Sequence, residues 1–100
     1  MAPAVKLRWT EIAADDLQSV HQYLGERSPT QADAMIERIL ASIDVLEQYP
    51  NLGRPGRLRG IRELVVAGTP FIVFYRLQRD QVLILGVVHG ARKWPEMGDF

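Results

Sequence analysis

The sequence contains no cysteine and only two histidines, His21 and His89. Without cysteine the chain can form neither a disulfide nor a thiolate metal site, and the two histidines lie too far apart in sequence to resemble a metal-binding motif. We therefore expect the protein to use no metal and no other cofactor. The lack of cysteine also fits a protein of the cytosol.

Long apolar runs are missing as well. No segment approaches the roughly 18 apolar residues of a membrane span, and the start, MAPAVKLRW, lacks the charged head and long apolar run of a signal peptide. We expect a soluble, cytoplasmic protein that does not contact a membrane. One hundred residues suffice for one core that buries roughly 65% of the unfolded surface, so residues 1–100 should form a single domain.

The formal net charge is zero, but the charges are unevenly distributed. Residues 1–50 carry four basic and eight acidic side chains, a balance of −4, whereas residues 51–100 carry eight basic and four acidic ones, a balance of +4. The second half can therefore attract phosphates or an acidic protein segment. Because the whole chain is neutral, long-range attraction to nucleic acid should be weaker than for a basic binding domain.

The first half of the chain predicts one strand and two helices. Apolar and basic residues alternate in AVKLRW, which is typical of a short strand. Thr10 can cap a first helix that ends at Gly25, and the SPTQ sequence from Ser28 forms a capping box for a second helix that Pro50 closes. Both helices carry an apolar stripe, and the short GERSP connection predicts an antiparallel hairpin.

The second half predicts a loop and three strands. Residues 51–60 contain three glycines and a proline, as expected of a surface loop. The strands IRELVV, FIVFYRL and VLILGVVH follow with short connections, which favour an antiparallel meander. We predict an α+β fold of order β-α-α-β-β-β, in which the helical hairpin packs on one face of a mainly antiparallel four-stranded sheet.

Two stretches of these strands, Phe71–Tyr75 and Val82–Val88, contain no charged residue, although a sheet with one solvated face should alternate apolar and polar side chains. Two helices cover only one face. We therefore expect the other face to be covered by a partner protein or a second copy; the alternative is that the C-terminal tail with Trp94 folds over it.

The element order, with LEQYPNLGRPGR, RELVVAGTPFIVFYR and ILGVVHGARKWP, resembles the RelE/ParE superfamily of toxins from bacterial type II toxin-antitoxin systems. The resemblance runs from Val5 to Pro95. It rests on YPNLGR, which closes the second helix, on the Tyr75-Arg76 pair, which ends a strand, and on HGAR at the exit from the last strand. It implies a cognate antitoxin as partner, in a dimeric or heterotetrameric complex of the two proteins, and a role in plasmid stabilisation.

The resemblance implies one of two modes of action. RelE-like members are ribosome-dependent endoribonucleases that cut messenger RNA, whereas ParE-like members bind and inhibit DNA gyrase. RelE-like catalysis uses strand lysines and arginines and a tyrosine near the C-terminus. Here IRELVV offers no lysine and no tyrosine follows Tyr75. The ParE-like mode, with gyrase as the target, is therefore the leading hypothesis, and the RelE-like mode, with the ribosome and messenger RNA as partners, is the alternative.

If the chain is a nuclease, the resemblance makes Arg76, His89 and Arg92 the candidate catalytic residues. Each has a structural alternative. His89 ends a strand whose same-face neighbours are expected to be Leu83, Leu85 and Val87, which favours a half-buried histidine that hydrogen-bonds locally. Arg76 can pair with Glu63 across adjacent strands.

The candidate contact residues for a target or an antitoxin are basic, with one aromatic side chain. They are Arg54, Arg57, Arg59, Arg62, Arg92, Lys93 and Trp94. Arg54, Arg57 and Arg59 lie in a glycine-rich loop that is either a contact surface or simply solvated, whereas Arg62, in the next predicted strand, can instead pair across adjacent strands. Arg92, Lys93 and Trp94 combine two cations with an aromatic side chain, a set that can bind phosphate and stack on a base.

Overall fold

A computed structural model describes residues 4–90, which form five strands and two helices. The elements, in chain order, are β1 (Lys6–Trp9), α1 (Glu11–Gly25), α2 (Pro29–Asp44), a 3-10 turn (Val45–Glu47), β2 (Arg54–Pro55), β3 (Arg62–Val65), β4 (Phe71–Gln78) and β5 (Gln81–His89). The strands lie in the order β1-β5-β4-β3-β2. Strand β1 runs parallel to β5, and every other pair is antiparallel.

The α+β prediction is confirmed, but the predicted number of strands was one too low. The additional strand is β2, a two-residue piece of the segment that was expected to be a loop, and it pairs antiparallel with the start of β3. A pair this short leaves no alternation of side chains in the sequence, because the period of a strand cannot be recognised over two residues.

Both predicted N-cap residues cap their helices, but the capping box at Ser28 is only half formed, because the Ser28 N–H donates to the Leu24 carbonyl and not to the Gln31 side chain. The side chain of Thr10 accepts a hydrogen bond from the backbone N–H of Ala13 at 3.1 Å, and Ser28 accepts one from Gln31 at 3.4 Å with Pro29 at the first helical position. These bonds pair backbone donors that a helix leaves unsatisfied at its start. Helix α2 ends at Asp44 and passes into the 3-10 turn, so the helical segment is shorter than predicted.

One face of the sheet forms the main core with the helices. Its largest fully buried side chain is Tyr75, in the middle of β4. The other members are apolar residues of α1, α2, the 3-10 turn and the strands: Ala13, Ile39, Ile43, Leu46, Leu64, Val66, Phe71, Val73, Val82, Ile84 and Val87. The helical hairpin therefore covers this face, as predicted.

The opposite face carries a second apolar cluster centred on the buried Ile61, Phe74 and Leu85. Ile72, Leu83 and Val88 pack against it and are partly buried. The strands are thus apolar on both faces, as their lack of charge predicted. Trp94, the residue of the tail that was considered as a cover, lies outside the described residues.

A β-bulge in β5 changes which side chains share a face. Phe74 is opposite Gly86 and Tyr75 is opposite Ile84, so Leu85 has no partner in the register. The extra residue shifts the alternation by one. As a result Leu85 belongs to the second cluster while Val87 belongs to the main core.

Helix α1 also contacts the sheet through a hydrogen bond. The Asp16 carboxylate accepts from the backbone N–H of Val87 at 3.0 Å, two residues after Leu85. Strand β1 pairs with β5 only as far as Ile84, and α1 supplies an acceptor for this amide beyond the end of β1. None of the helices in residues 4–90 is long and apolar enough to cross a membrane.

Candidate macromolecule-binding hairpin

Residues 54–63 form a compact hairpin, which we call the arginine hairpin. Its arms are paired in register, with Arg54 opposite Glu63 and Pro55 opposite Arg62. Beyond the paired residues, the Gly56 N–H donates to the Ile61 carbonyl at 2.7 Å, so the two arms stay together up to a tip at residues 57–60. The segment predicted as an irregular loop is therefore hydrogen-bonded along its length.

Two glycines meet the geometric demands of this hairpin. Gly60 lies in the tip with φ +81°, a left-handed conformation that side-chain-bearing residues rarely adopt. At Gly56 an added Cβ would lie 2.7 Å from the Ile61 carbonyl oxygen and 3.1 Å from a carboxylate oxygen of Glu63. A larger residue at position 56 would push the arms apart.

The base of the arginine hairpin is attached to the core through Tyr75. The ring is fully buried in the main core, and its hydroxyl donates to the Pro50 carbonyl at 2.7 Å while it accepts from the Gly53 N–H at 2.8 Å. Gly53 allows this approach, because an added Cβ would lie 2.7 Å from the Tyr75 ring. One side chain of β4 thus holds both ends of the segment that leads into the hairpin.

The environment of this hydroxyl favours its neutral form. Burial raises the pKa of Tyr75, because removing the phenolate from water is costly. The Gly53 N–H and the positive charge of Arg62 lower the pKa and offset part of that effect. Tyr75 therefore keeps its proton, and with it the bond to the Pro50 carbonyl, at neutral pH.

Arg62 forms a second brace on the same segment. Its Nη1 donates to the Gly53 carbonyl at 2.6 Å and to the Asn51 carbonyl at 3.4 Å. Together with Tyr75, it satisfies the N–H and the carbonyl of Gly53. Arg62 was predicted as a contact residue, and in the structure its guanidinium group binds the hairpin's own base.

The buried carboxylate of the region belongs to Glu63. Its side chain is 7% exposed and accepts a hydrogen bond from Arg54 Nη2 at 3.1 Å, whereas the Arg54 side chain is 62% exposed. The predicted pairing of Glu63 with Arg76 is wrong. The register places Glu63 opposite Phe74, and the carboxylate binds the neighbouring arm of the hairpin.

The tip of the hairpin presents Arg57 and Arg59, both exposed, on either side of Leu58, which is 38% exposed. Two large side chains just before the hairpin are also exposed, Tyr49 at 65% and Leu52 at 56%. Cationic and apolar groups are thus presented together. Such a surface can meet acidic and apolar groups of a partner protein.

The two candidate nuclease residues that the structure describes, Arg76 and His89, are not brought together. Arg76 is opposite Leu83 and His89 is opposite Phe71, so they lie five positions apart along β4, roughly 17 Å at about 3.4 Å per residue. They also lie on opposite faces. Arg76 falls between Tyr75 and Leu77, which pack in the main core, and therefore points to the other side.

His89 is exposed at the end of β5, and its ring meets the Phe71 ring edge-on, with centroids 5.7 Å apart. The expectation of a half-buried histidine beside Leu83 and Leu85 is wrong, because the bulge moves those two residues to the other face. The remaining candidates, Arg92, Lys93 and Trp94, lie outside the described residues. Within residues 4–90, no three His, Asp or Glu side chains are placed to hold a metal ion.

The role of Tyr75 was missed by sequence reasoning. Tyr75 and the YPNLGR segment were both noted as separate parts of a resemblance, but their contact was not predicted. The hydroxyl joins residues 22 and 25 positions apart, and no sequence spacing indicates such a bond. The sole available signal was a tyrosine in an otherwise apolar strand, since a buried hydroxyl needs a hydrogen-bond partner.

Comparison with known proteins shows the family and the fold. The family described as "ParE toxin of type II toxin-antitoxin system, parDE" matches residues 7–94. Y4kP of Sinorhizobium fredii, by its name a candidate toxin, is 40% identical over 92 residues, covering 92% of this chain and 95% of that protein.

Two solved structures share the fold. A chain of the chromosomal ParDE system from P. aeruginosa superposes with a TM-score of 0.77 at 27% identity, covering 86% of this chain and 96% of that one. A chain of the RelBE2 toxin-antitoxin complex from Mycobacterium tuberculosis superposes with a TM-score of 0.61 at 25% identity, covering 86% of this chain and 98% of that one.

The fold and the sequence relatives therefore define a toxin of the RelE/ParE superfamily, as the resemblance predicted. More narrowly, the chain belongs to the ParE toxin family of type II toxin-antitoxin systems.

Proposed function

We propose that this toxin acts by binding DNA gyrase and inhibiting it, and that it performs no chemistry of its own. The observation that carries the proposal is the arginine hairpin, in which Arg54, Arg57 and Arg59 are exposed while the base is fixed to the core. A surface of this kind is suited to binding, because ordering it costs little when a partner arrives.

The placement of the candidate nuclease residues supports the same proposal. RNA cleavage through the 2′-hydroxyl needs a base, a cation for the phosphorane and an acid within reach of one phosphate. Arg76 and His89 lie on opposite faces of the sheet and cannot surround one phosphate without rearrangement. The family relationship to ParE toxins points in the same direction.

We further propose that a cognate antitoxin neutralises the toxin. The relatives with solved structures come from ParDE and RelBE2 systems, and this chain offers exposed arginines that an acidic antitoxin segment could meet. A heterotetramer of two toxins and two antitoxins is the expected assembly. Co-expression with the neighbouring reading frame, followed by mass determination of the purified complex, tests both the pairing and its stoichiometry.

The mode of action is tested with two assays on the same purified toxin. Inhibition of gyrase supercoiling, with translation unaffected, is the expected result. Cleavage of messenger RNA in the presence of ribosomes, with normal supercoiling, would overturn the proposal in favour of the RelE-like alternative. His89→Ala serves as an internal control, because it should leave gyrase inhibition unchanged and would abolish cleavage if His89 were catalytic.

A further inference from the structure

We propose that the arginine hairpin is a preorganised docking element for an acidic surface on the target protein, and that Tyr75 and Arg62 are the residues that position it. The inference rests on the proposed function, since it assumes that the toxin acts by binding. It adds the contact element, the chemistry of the partner surface and two positioning residues inside the fold.

The brace is made of side chains that do not face the partner. Tyr75 is fully buried and bonds the Pro50 carbonyl and the Gly53 N–H, while Arg62 bonds the Gly53 carbonyl. Gly53 is therefore held from both sides, one residue before the hairpin begins. These contacts fix the direction in which the hairpin leaves the sheet.

The hairpin itself transmits this direction to its tip. The salt bridge between Arg54 and Glu63 and the bond between Gly56 and Ile61 tie the two arms along their length. The Ile61 N–H also donates to the Leu58 carbonyl at 3.1 Å, which closes the tip. Arg57 and Arg59 are thus presented from a structured turn.

The surroundings of the two tip arginines favour a protein partner over nucleic acid. Leu58 lies between them, and the exposed Leu52 lies just before the hairpin. A phosphate backbone offers no apolar surface for such side chains, whereas the buried part of a protein interface is apolar with arginine enriched. The formal net charge of zero also weakens the long-range attraction that DNA-binding domains use.

Positioning should matter because binding occurs only from the correctly oriented hairpin. When the competent conformation is populated only in part, the apparent affinity falls by that fraction. Removal of the Tyr75 hydroxyl should therefore weaken binding through Arg57 and Arg59, although Tyr75 does not touch the partner. This coupling distinguishes positioning from a general loss of stability.

The test is a double-mutant cycle with the full chain. Arg57→Ala/Arg59→Ala should raise the toxin concentration needed for half-maximal gyrase inhibition about tenfold, as expected for interface arginines. Tyr75→Phe should raise it about fivefold, because the loss of both hydrogen bonds of the hydroxyl would leave about a fifth of the folded chains with the hairpin in the competent orientation. The triple variant, Arg57→Ala/Arg59→Ala/Tyr75→Phe, should stay near the tenfold loss of Arg57→Ala/Arg59→Ala. Without the tip arginines, the orientation of the hairpin no longer affects binding.

Two variants serve as controls, and a third extends the test to Arg62. Tyr23→Phe removes the hydroxyl of an exposed tyrosine on α1, and Arg8→Ala/Arg27→Ala removes two exposed charges away from the hairpin; both should keep wild-type potency. Arg62→Gln tests the second half of the brace and should behave like Tyr75→Phe. Circular dichroism and urea unfolding identify any variant that is not folded under the assay conditions.

The wild type and the same variants are also expressed in cells that lack the antitoxin, and growth arrest is measured. If the wild type arrests growth without inhibiting gyrase, the proposed target is wrong, but the growth data still test the hairpin. Additive losses in the triple variant, about fiftyfold, would overturn the positioning role. If the wild type binds labelled duplex DNA tightly and Arg57→Ala/Arg59→Ala does not, the assignment of a protein partner is wrong. If the wild type shows no toxicity at all, both the proposed function and the docking role of the hairpin are wrong.

Discussion

Removing one oxygen atom, in Tyr75→Phe, should lower the free energy of unfolding by about 2 kcal/mol. The phenylalanine ring fills the same space in the core, so no cavity forms and the loss comes from hydrogen bonds. The Gly53 N–H, which is buried, loses its acceptor at 2.8 Å, and the Pro50 carbonyl loses a donor at 2.7 Å. An unpaired buried backbone group costs about 1 to 3 kcal/mol, and Pro50, which is partly exposed, can regain water.

The measurement is urea unfolding at neutral pH. A loss of about 2 kcal/mol should lower the midpoint without changing the slope, and should lower the melting temperature of a chain of this size by about 8 to 16 °C. Tyr23→Phe is the matched control. It removes a hydroxyl from an exposed ring that stacks under Arg27, and its stability should be close to that of the wild type.

The pH dependence provides an independent check. The pKa of Tyr75 in the folded chain is raised above the ordinary value of 10.0, so the unfolded tyrosine releases its proton first as the pH increases. The stabilisation by the neutral hydroxyl is fully present below pH 10.0 and is lost as the pH rises from there through the raised pKa. The stability difference between wild type and Tyr75→Phe should therefore narrow above pH 10.0.

Two results would refute this reasoning. Equal stability of Tyr75→Phe and the wild type at neutral pH would mean that the two hydrogen bonds contribute nothing net. A difference that stays constant or widens above pH 10.0 would mean that the folded chain does not favour the neutral hydroxyl.

Three further substitutions test other contacts, each by urea unfolding. Gly53→Ala should cost about 1 to 3 kcal/mol, because the new Cβ would lie 2.7 Å from the Tyr75 ring; an unchanged midpoint would contradict that close approach. Arg62→Ala should lower the free energy of unfolding by about 1 to 2 kcal/mol, because the bond to the Gly53 carbonyl is lost. The loss should be smaller when Gly53→Ala is already present. Fully additive losses would argue against a shared brace. Asp16→Ala should lower the free energy of unfolding by about 1 to 3 kcal/mol and speed hydrogen exchange at the Val87 amide, because that amide loses its acceptor. If the amide exchanges as slowly as in the wild type, another group accepts its hydrogen bond.

The elements of the fold were predictable because their signals are local. Thr10 and the Ser28 capping box mark the starts of two helices, and each cap acts on a residue three positions away. The alternation in β1 and the uncharged strands near the C-terminus indicated a sheet that is apolar on both faces. Strand β2 was missed because two residues are too few to show a period.

The candidate site was predictable only in part. The arginines of residues 54–62 stood out by their density, but their different roles did not. Arg54 neutralises a buried carboxylate and Arg62 binds the base of the hairpin, while Arg57 and Arg59 remain exposed at the tip. Those differences depend on which strands are neighbours and in which register they pair.

The sequence by itself determined the helices, their caps, the apolar strands, the family and the basic character of the second half, since each of these follows from residue types and short spacings. Tertiary structure alone decided that Tyr75 holds the hairpin, that Glu63 pairs with Arg54, and that a bulge separates the faces of Leu85 and Val87. The physical reason is that hydrogen-bond partners and sheet faces depend on register. A shift of one residue exchanges the two faces, and only the packing of distant segments selects the register.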